Sequence, residues 1–270
     1  MIPYGKQEIT NSDIADVTRV LKSKLITQGN IVPKFEQKIS KKVNSKYAVA
    51  VNSATSALHI ACLALSITKG DIVWTSAITF VASANCARYC GADVDFVDIN
   101  LDTFNISISS LEAKLIQAKK INKLPKLLIV VHMCGQSCDM EAIYKLSKEY
   151  NFSIIEDASH ALGGNYRKKP VGSCNFSDIT IFSFHPVKII TTGEGGMAVT
   201  NNKNLYEKLQ LFRTHGITRN KKLMNNKDVG YWHYEQLFLG YNYRMTDIAA
   251  ALGISQLSRL IPKAAAISVI

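Results

Sequence analysis

The sequence predicts an α/β protein built on one large, mostly parallel sheet flanked by helices. Three observations lead to this fold class: short apolar runs recur along the chain, the gaps between them have room for a helix, and the runs are mostly continuous rather than alternating. Continuous runs are typical of strands buried on both faces, and their alternation with helical patterns favours a doubly wound sheet. The seven predicted strands are Tyr47–Val51, Ile72–Thr75, Val94–Val97, Leu127–Val131, Ser153–Glu156, Asp178–Phe182 and Met197–Val199.

Helical patterns lie before, between and after these runs. The second predicted helix starts at Pro33, which suits a first-turn position because the missing N–H costs nothing there. The chain from His215 to Tyr243 is polar and aromatic without clear periodicity, and its length predicts a functional loop. The predicted helices are Thr10–Lys22, Pro33–Val43, Thr55–Leu65, Ile78–Tyr89, Ser109–Lys119, Met140–Tyr150, Asn204–Phe212 and Thr246–Leu260.

Composition limits the class of protein and its location. With 47% hydrophobic and 20% charged residues among 270, the chain is ordered and globular rather than disordered, collagenous or coiled-coil. The most apolar run, Leu127–Val131, is far shorter than the roughly 18 residues of a membrane-spanning helix. The six cysteines are scattered and the first residues lack an apolar signal core, so we expect a cytoplasmic protein with reduced thiols.

Two further classes of ligand are disfavoured. The net charge of +11 attracts anions only weakly, because the basic residues are scattered in pairs among acids, and no nucleic-acid-binding motif accompanies it. The pairs Cys86/Cys90 and Cys134/Cys138 each have a three-residue gap, whereas zinc sites on tight turns use a shorter one. We therefore predict no metal and no nucleic-acid partner.

Ligands of parallel α/β sheets bind at the carboxyl ends of strands, and three predicted strand ends carry polar chemistry. An acid at Asp157, with His160 three residues on, can hold a cationic nitrogen; the alternative is an aspartate that caps the next turn. Lys188 lies between a strand and the turn Gly193-Glu194-Gly195-Gly196, where desolvation can lower its pKa and make it a Schiff-base nucleophile. Small hydroxyl residues over 52–58 begin a helix, which suits a phosphate or a simple N-cap.

The three strand ends together suit one ligand that has a phosphate, an aromatic nitrogen and a carbonyl. Pyridoxal 5'-phosphate (PLP) has all three groups. The motifs of the sequence also resemble, in order and at spacing, the DegT family of sugar aminotransferases. The resemblance covers the chain from Ile2 to about Arg259 and implies the large domain of a fold type I PLP-dependent transferase. The motifs are Ser53-Ala54-Thr55-Ser56-Ala57-Leu58, Thr79-Phe80-Val81-Ala82, Glu156-Asp157-Ala158-Ser159-His160-Ala161, Ser183-Phe184-His185-Pro186-Val187-Lys188 and Gly240-Tyr241-Asn242-Tyr243-Arg244-Met245-Thr246-Asp247.

The resemblance implies a role for each matched residue. Lys188 bonds to the cofactor and then moves a proton between substrate and cofactor, while Asp157 keeps the pyridine nitrogen protonated. Phe80 and His160 cover the two faces of the ring; the alternatives are a core aromatic and a core histidine.

The cofactor phosphate is the second group that the matched motifs serve. The resemblance assigns its binding to Thr55, Ser56 and Ser183. Asn242 and Arg244 reach the phosphate region from the partner subunit, which implies a homodimer with shared active sites. Without the family, these two residues are interpreted as a turn residue and a surface charge.

The implied reaction moves an amino group from glutamate to C4 of a UDP-linked 4-keto-6-deoxy-N-acetylhexosamine. The opening Ile2 to Gln7, together with residues 47–52, most resembles family members that act in pseudaminic acid synthesis. We expect Tyr4, the strand end His132–Gln136 and the loop Tyr231–Gln236 to select the sugar.

The predicted domain organisation has three parts: an N-terminal arm and first helix over 1–30, a PLP-binding large domain over 31–245, and the start of a connecting helix over 246–270. Family members continue into a small C-terminal domain, whereas here Pro262 interrupts the last helix and an apolar stub follows. The sequence therefore predicts a truncated chain. The alternatives to an active enzyme of this pathway are a catalytically inactive PLP-binding remnant and an aminotransferase for a different nucleotide keto-sugar.

Overall fold

The computed structural model describes residues 5–226, 230 and 232–260. Eight α-helices are assigned within these ranges, and seven strands form the main sheet. The helices are α1 (Asn11–Leu21), α2 (Ile31–Val43), α3 (Ala54–Ala64), α4 (Ala82–Tyr89), α5 (Ile108–Lys120), α6 (Met140–Tyr150), α7 (Lys203–Arg213) and α8 (Asp247–Leu257). The strands are β1 (Tyr47–Val51), β2 (Ile72–Ser76), β3 (Asp93–Val97), β4 (Leu127–Val131), β5 (Ser153–Asp157), β6 (Ile179–Ser183) and β7 (Gly196–Thr200).

The strands lie in the order β1, β7, β6, β5, β4, β2, β3. Strand β7 is antiparallel to both of its neighbours, and the other neighbouring pairs are parallel. The predicted mostly parallel, seven-stranded sheet flanked by helices is therefore confirmed. The carboxyl ends of six strands and the amino end of β7 lie at one edge, which is where ligands of such sheets bind.

Both faces of the sheet are buried, which explains why its strands read as continuous apolar runs. In β4, Leu127 and Ile129 pack in the cluster beneath α3, α4 and α7, whereas Leu128 and Val130 pack with α5 and α6 on the opposite face. Helices α2 and α8 cover the rest of that second face, over β1, β6 and β7.

Helix α1 lies outside these layers and docks on α8 through a buried charge. The Asp13 carboxylate, only 1% exposed, accepts hydrogen bonds from Arg259 at 2.7 Å and from the Gln256 amide at 2.9 Å. The first helix of the chain is thereby held against the last one that the structure describes.

Two sequence predictions about local structure need correction. The helix predicted from Ile78 begins at Ala82 instead. The Thr79 hydroxyl donates to the Phe80 carbonyl at 3.3 Å, and such a local side chain–backbone bond competes with helical pairing. The segment from His215 to Tyr243 is not loop throughout, since Ile217–Thr218 pairs with Glu235–Gln236 in a short antiparallel ladder. A second small ladder, Asn165–Tyr166 with Lys169–Pro170, was also not predicted.

None of the described helices is long and apolar enough to cross a membrane. Over the same described ranges, no three His, Cys, Asp or Glu side chains are grouped so that they could hold a metal ion.

Candidate active site

Lys188 lies in the loop that follows β6, and its amine contacts a histidine from a neighbouring strand end. The distance from Lys188 Nζ to His160 Nε2 is 2.6 Å. Burial lowers the pKa of Lys188, and the negative charge of Asp157 opposes that shift. The direction of the pKa change agrees with the sequence prediction, and it raises the fraction of neutral, nucleophilic amine.

His160 is held neutral by the same surroundings. Burial and the nearby Lys188 charge lower the pKa of His160, while Asp157 opposes them. Because a neutral imidazole keeps one ring nitrogen free as an acceptor, His160 Nε2 can accept a hydrogen bond from Lys188 Nζ.

The Asp157 carboxylate ends β5 and is fixed by two serines. Ser83 of α4 donates to Oδ2 at 2.7 Å, and the Ser159 hydroxyl and N–H donate to Oδ1 at 2.6 and 3.2 Å. Asp157 therefore does cap the turn that follows it, as the alternative interpretation held. Its oxygens still have acceptor capacity, since a carboxylate offers about four lone-pair sites.

The start of α3 forms an N-cap from small hydroxyl side chains. Ser53 Oγ accepts a hydrogen bond from the Ser56 N–H at 3.1 Å, and the Ser56 hydroxyl donates to Asn52 Oδ1 at 2.6 Å. Thr55 is half-buried in the same first turn. The simple N-cap is thus formed, and the helix end remains suited to an anion because its first N–H groups have no partner within the helix.

A backbone contact joins this helix end to the turn beyond Lys188. A Cβ atom on Gly196 would lie 2.5 Å from the carbonyl carbon and oxygen of Ser53, so only glycine fits there. Gly193 in the same turn has a φ of +81°, which glycine adopts without strain.

Three of the predicted site residues line two cavities. Lys188 and His160 line one of about 420 Å³, bordered also by Lys6, Cys134 and Gln256. The second cavity, about 430 Å³, is lined by Arg244, Asn52, Thr192 and Glu194. A larger cleft of about 670 Å³ between α1, α2 and α8 contains none of the predicted site residues.

The remaining predicted residues line neither of these two cavities. Phe80 is 73% exposed, and Ser183 is half-buried at the end of β6. Asn242 is exposed, and its backbone forms an isolated antiparallel β-bridge with that of Thr214. The backbone of Arg244 forms an isolated antiparallel β-bridge with that of Val51, at the end of β1. Two predicted sugar-selecting residues, Tyr4 and Tyr231, lie outside the described residues, as does Pro262.

Sequence reasoning missed a buried pair directly beneath this site. His132 Nε2 lies 2.8 Å from Glu156 Oε2, and Nδ1 accepts a hydrogen bond from the Cys138 N–H at 3.3 Å, so the proton is on Nε2. Glu156 also accepts hydrogen bonds from Ser177 and Thr180. The hydrogen bonds from His132, Ser177 and Thr180 outweigh burial and lower the pKa of Glu156.

We expect Glu156→Gln to lower the free energy of unfolding by about 3 kcal/mol at pH 7, because it breaks a buried, fully hydrogen-bonded charge. Since the pKa of Glu156 is lowered from its usual 4.5, its contribution is present above that pH and is lost as the pH falls through the lowered value. Urea unfolding at pH 7 and at pH 4 measures both effects. Glu207→Gln, which alters an exposed i,i+4 ion pair, is the control and should change stability by less than about 0.5 kcal/mol.

An equal cost for both variants at pH 7 would contradict this account of Glu156. So would a gap between wild type and Glu156→Gln that widens as the pH falls.

Comparison with known proteins identifies the family. Residues 7–265 match the DegT/DnrJ/EryC1/StrS aminotransferase family. The chain belongs to this family.

Two similar proteins come from Campylobacter jejuni and Helicobacter pylori. This DegT-family chain is 46% identical over 260 residues to the UDP-4-amino-4,6-dideoxy-N-acetyl-beta-L-altrosamine transaminase of Campylobacter jejuni strain 81-176, with 96% of this chain and 65% of the relative covered. Its fold matches that of Helicobacter pylori PseC, an aminotransferase of pseudoaminic acid biosynthesis, with a TM-score of 0.86 and 36% identity over 96% of this chain and 66% of that one.

A third similar structure is the PLP form of the putative sugar aminotransferase Spr1654 from Streptococcus pneumoniae. The TM-score is 0.83 and the identity 31%, over 97% of this chain and 67% of that one. The DegT-family chain thus spans 65% of the length of the C. jejuni relative.

Proposed function

We propose that this chain is a PLP-dependent aminotransferase that moves an amino group from glutamate to C4 of a UDP-linked 4-keto-6-deoxy-N-acetylhexosamine in pseudaminic acid synthesis. The observation that carries the proposal is the half-buried Lys188 amine, 2.6 Å from His160 Nε2 in a cavity of about 420 Å³. The names of the C. jejuni and H. pylori relatives supply the sugar class.

The residues at this sheet edge fit the chemical groups of PLP. When bound, PLP supplies an aldehyde that a lysine can attack and a pyridine ring that accepts electrons from a substrate carbon. Lys188 offers the amine, Asp157 offers a buried carboxylate for a protonated ring nitrogen, and the start of α3 offers the Thr55 hydroxyl and N–H for a phosphate. The Ser56 hydroxyl, which donates to Asn52 Oδ1 here, would have to turn from Asn52 to join them.

Each side chain then has a task. His160 Nε2 accepts a hydrogen bond from Lys188 Nζ and orients it, while burial favours the neutral Lys188 amine, which can attack and later carry a proton between the substrate and the cofactor. Ser83 and Ser159 hold the Asp157 carboxylate in one orientation. Ser183 and Phe80 complete the proposed phosphate and ring contacts.

The homodimer is part of the proposal. In its own chain Arg244 lines a different cavity from Lys188, and Asn242 is exposed. This separation supports the assignment of both residues to the site of a second copy, where their polar groups would face the cofactor phosphate. We also propose a cytoplasmic location, because all six cysteines are free thiols and disulfides are rare in that compartment.

An absorbance titration of the purified chain tests the proposed function. We expect PLP to produce a visible absorbance band that is bleached by glutamate, and pyridoxal without its phosphate to bind far more weakly. The glutamate-treated protein should then aminate a UDP-linked 4-keto sugar in preference to a GDP-linked one. A folded chain that gives no visible band with PLP would contradict the proposal.

A further inference from the structure

Residues 5–8, here called the 5–8 segment, form one wall of the Lys188 cavity, because three of these four residues line it. The remaining one, Gly5, packs against the loop that carries the lysine. A Cβ atom on Gly5 would lie 2.9 Å from Val187 Cγ1, which is closer than the roughly 3.5–4.0 Å at which carbon atoms pack. The backbone of the 5–8 segment therefore rests directly on the residue before Lys188.

Val187 belongs to the turn that holds the lysine. The Lys188 N–H donates to the His185 carbonyl at 2.9 Å, and the Val187 N–H donates to His185 Nδ1 at 3.4 Å. Val187 and Lys188 are thus tied to the same residue. A displacement of the 5–8 segment is therefore passed to the turn that carries the amine.

One side chain of α8 holds the 5–8 segment in place. The Gln256 amide nitrogen donates to the Glu8 carbonyl at 2.8 Å and to Asp13 Oδ2 at 2.9 Å. Gln256 is 1% exposed, and it also lines the Lys188 cavity. Because the amide nitrogen has two hydrogens to donate, it ties both the 5–8 segment and α1 to α8.

We propose that Gln256 is a positioning residue of the Lys188 cavity, which keeps the 5–8 segment against Val187 through its hydrogen bond to the Glu8 carbonyl and so closes the cavity on that side. Gln256 acts on the amine through the segment and the turn. Its effect on catalysis rests on the proposed function, whereas its effect on the shape of the cavity does not. The competing role is purely structural, with Gln256 serving only to dock α1.

Limited trypsin digestion of the apo chain tests the proposal. Cleavage after Lys6 requires the 5–8 segment to leave its contacts. Gln256→Met, which keeps a side chain of similar size without a donor, should speed this cleavage by about five-fold or more. Cleavage after Lys22, which directly follows α1, measures release of that helix instead and should rise less. The matched control, Gln210→Ala, removes an amide that donates to Tyr206 within α7 and should leave both rates unchanged.

A second readout reports on the cavity itself. Burial lowers the pKa of His160 from its ordinary value of 6.5, so opening the wall should raise that pKa in Gln256→Met, as an NMR titration of the apo chain measures. Gly5→Val reaches the segment from its other end, because the new side chain would meet Val187 while Gln256 is unaltered. It should raise the His160 pKa in the same direction. Circular dichroism checks that each variant folds.

Kinetics with PLP then separate positioning from chemistry. Both Gln256→Met and Gly5→Val should raise the KM for the amino donor by about five-fold or more and leave kcat within about two-fold, because the closed cavity is populated less while the reacting groups are unchanged. If the apo measurements change as expected but PLP gives no visible band, the proposed function fails and the closure by Gln256 stands.

Three results would overturn the proposal. They are an unchanged rate of cleavage after Lys6 in folded Gln256→Met, an equal rise in cleavage after Lys22, and a His160 pKa that stays unchanged in both variants.

Discussion

Lys188→Ala is expected to lower transamination by at least about 10³-fold, because it removes both the nucleophile and the proton carrier of the proposed reaction. The fold should remain intact, with the free energy of unfolding within about 0.5 kcal/mol of wild type. The side chain is only half-buried, and its one hydrogen-bond partner in the described structure is His160. A single-turnover assay with PLP and glutamate measures the rate, and urea unfolding measures the stability.

A second readout of Lys188→Ala needs no cofactor. Because the Lys188 charge helps to lower the pKa of His160, its removal should raise that pKa, which an NMR titration of the apo chain measures. Lys203→Ala, whose side chain is 74% exposed, is the matched control and should leave both the rate and the His160 pKa unchanged. Normal turnover in Lys188→Ala would show that another group attacks the cofactor.

Asp157→Asn is expected to lower the rate by roughly 10- to 100-fold while PLP still binds. The change removes the proposed charge-assisted hydrogen bond to a protonated ring nitrogen, and such a bond contributes about 1.5–3 kcal/mol. The fold should tolerate it, because the Ser83 and Ser159 hydroxyls that donate to the carboxylate can also accept from an amide.

The apo chain again provides an independent measurement. The Asp157 charge opposes the lowering of the pKa of both His160 and Lys188, so Asp157→Asn should lower both pKa values further. Asp98→Asn, at an exposed position, is the control. A His160 pKa that rises in Asp157→Asn, or a rate equal to that of wild type, would contradict the assigned role.

The fold was predictable because its signals are local. Strand β4 is apolar at every position since residues on both of its faces are buried, and neighbouring residues alone show this. The surroundings of Lys188 were predictable for a related reason: a buried strand leads into its loop and a glycine turn follows it, so desolvation was expected.

The contacts around Asp157 were not predictable in the same way. Ser83 and Asp157 are 74 positions apart, and no local pattern marks Ser83 as a donor to that carboxylate. Ser159 carried a usable signal, because a serine two residues after an aspartate is typical of a side-chain-capped turn. The pairing of His132 with Glu156 joins two strand ends and needed the strand order of the sheet.

The direction of β7 had a signal that the periodicity did not reveal. The link between β6 and β7 is the Lys188 loop itself, and Pro186 and the glycine turn from Gly193 interrupt it, so it holds no crossover helix and favours an antiparallel return. The assignment of Arg244 to the active site of a partner subunit concerns a second chain, and it stays a prediction.

Because Gly196 contacts the backbone of Ser53, the Lys188 loop and the start of α3 move together as one rigid unit. Because main chain touches main chain, a displacement of the helix end is passed directly to the loop, with no side-chain rotation to absorb it. This contact therefore fixes the spacing between the Lys188 amine and the N-terminus of α3. A substitution of the exposed Glu194 in the same turn would leave that spacing unchanged. The added methyl group of Gly196→Ala would change it.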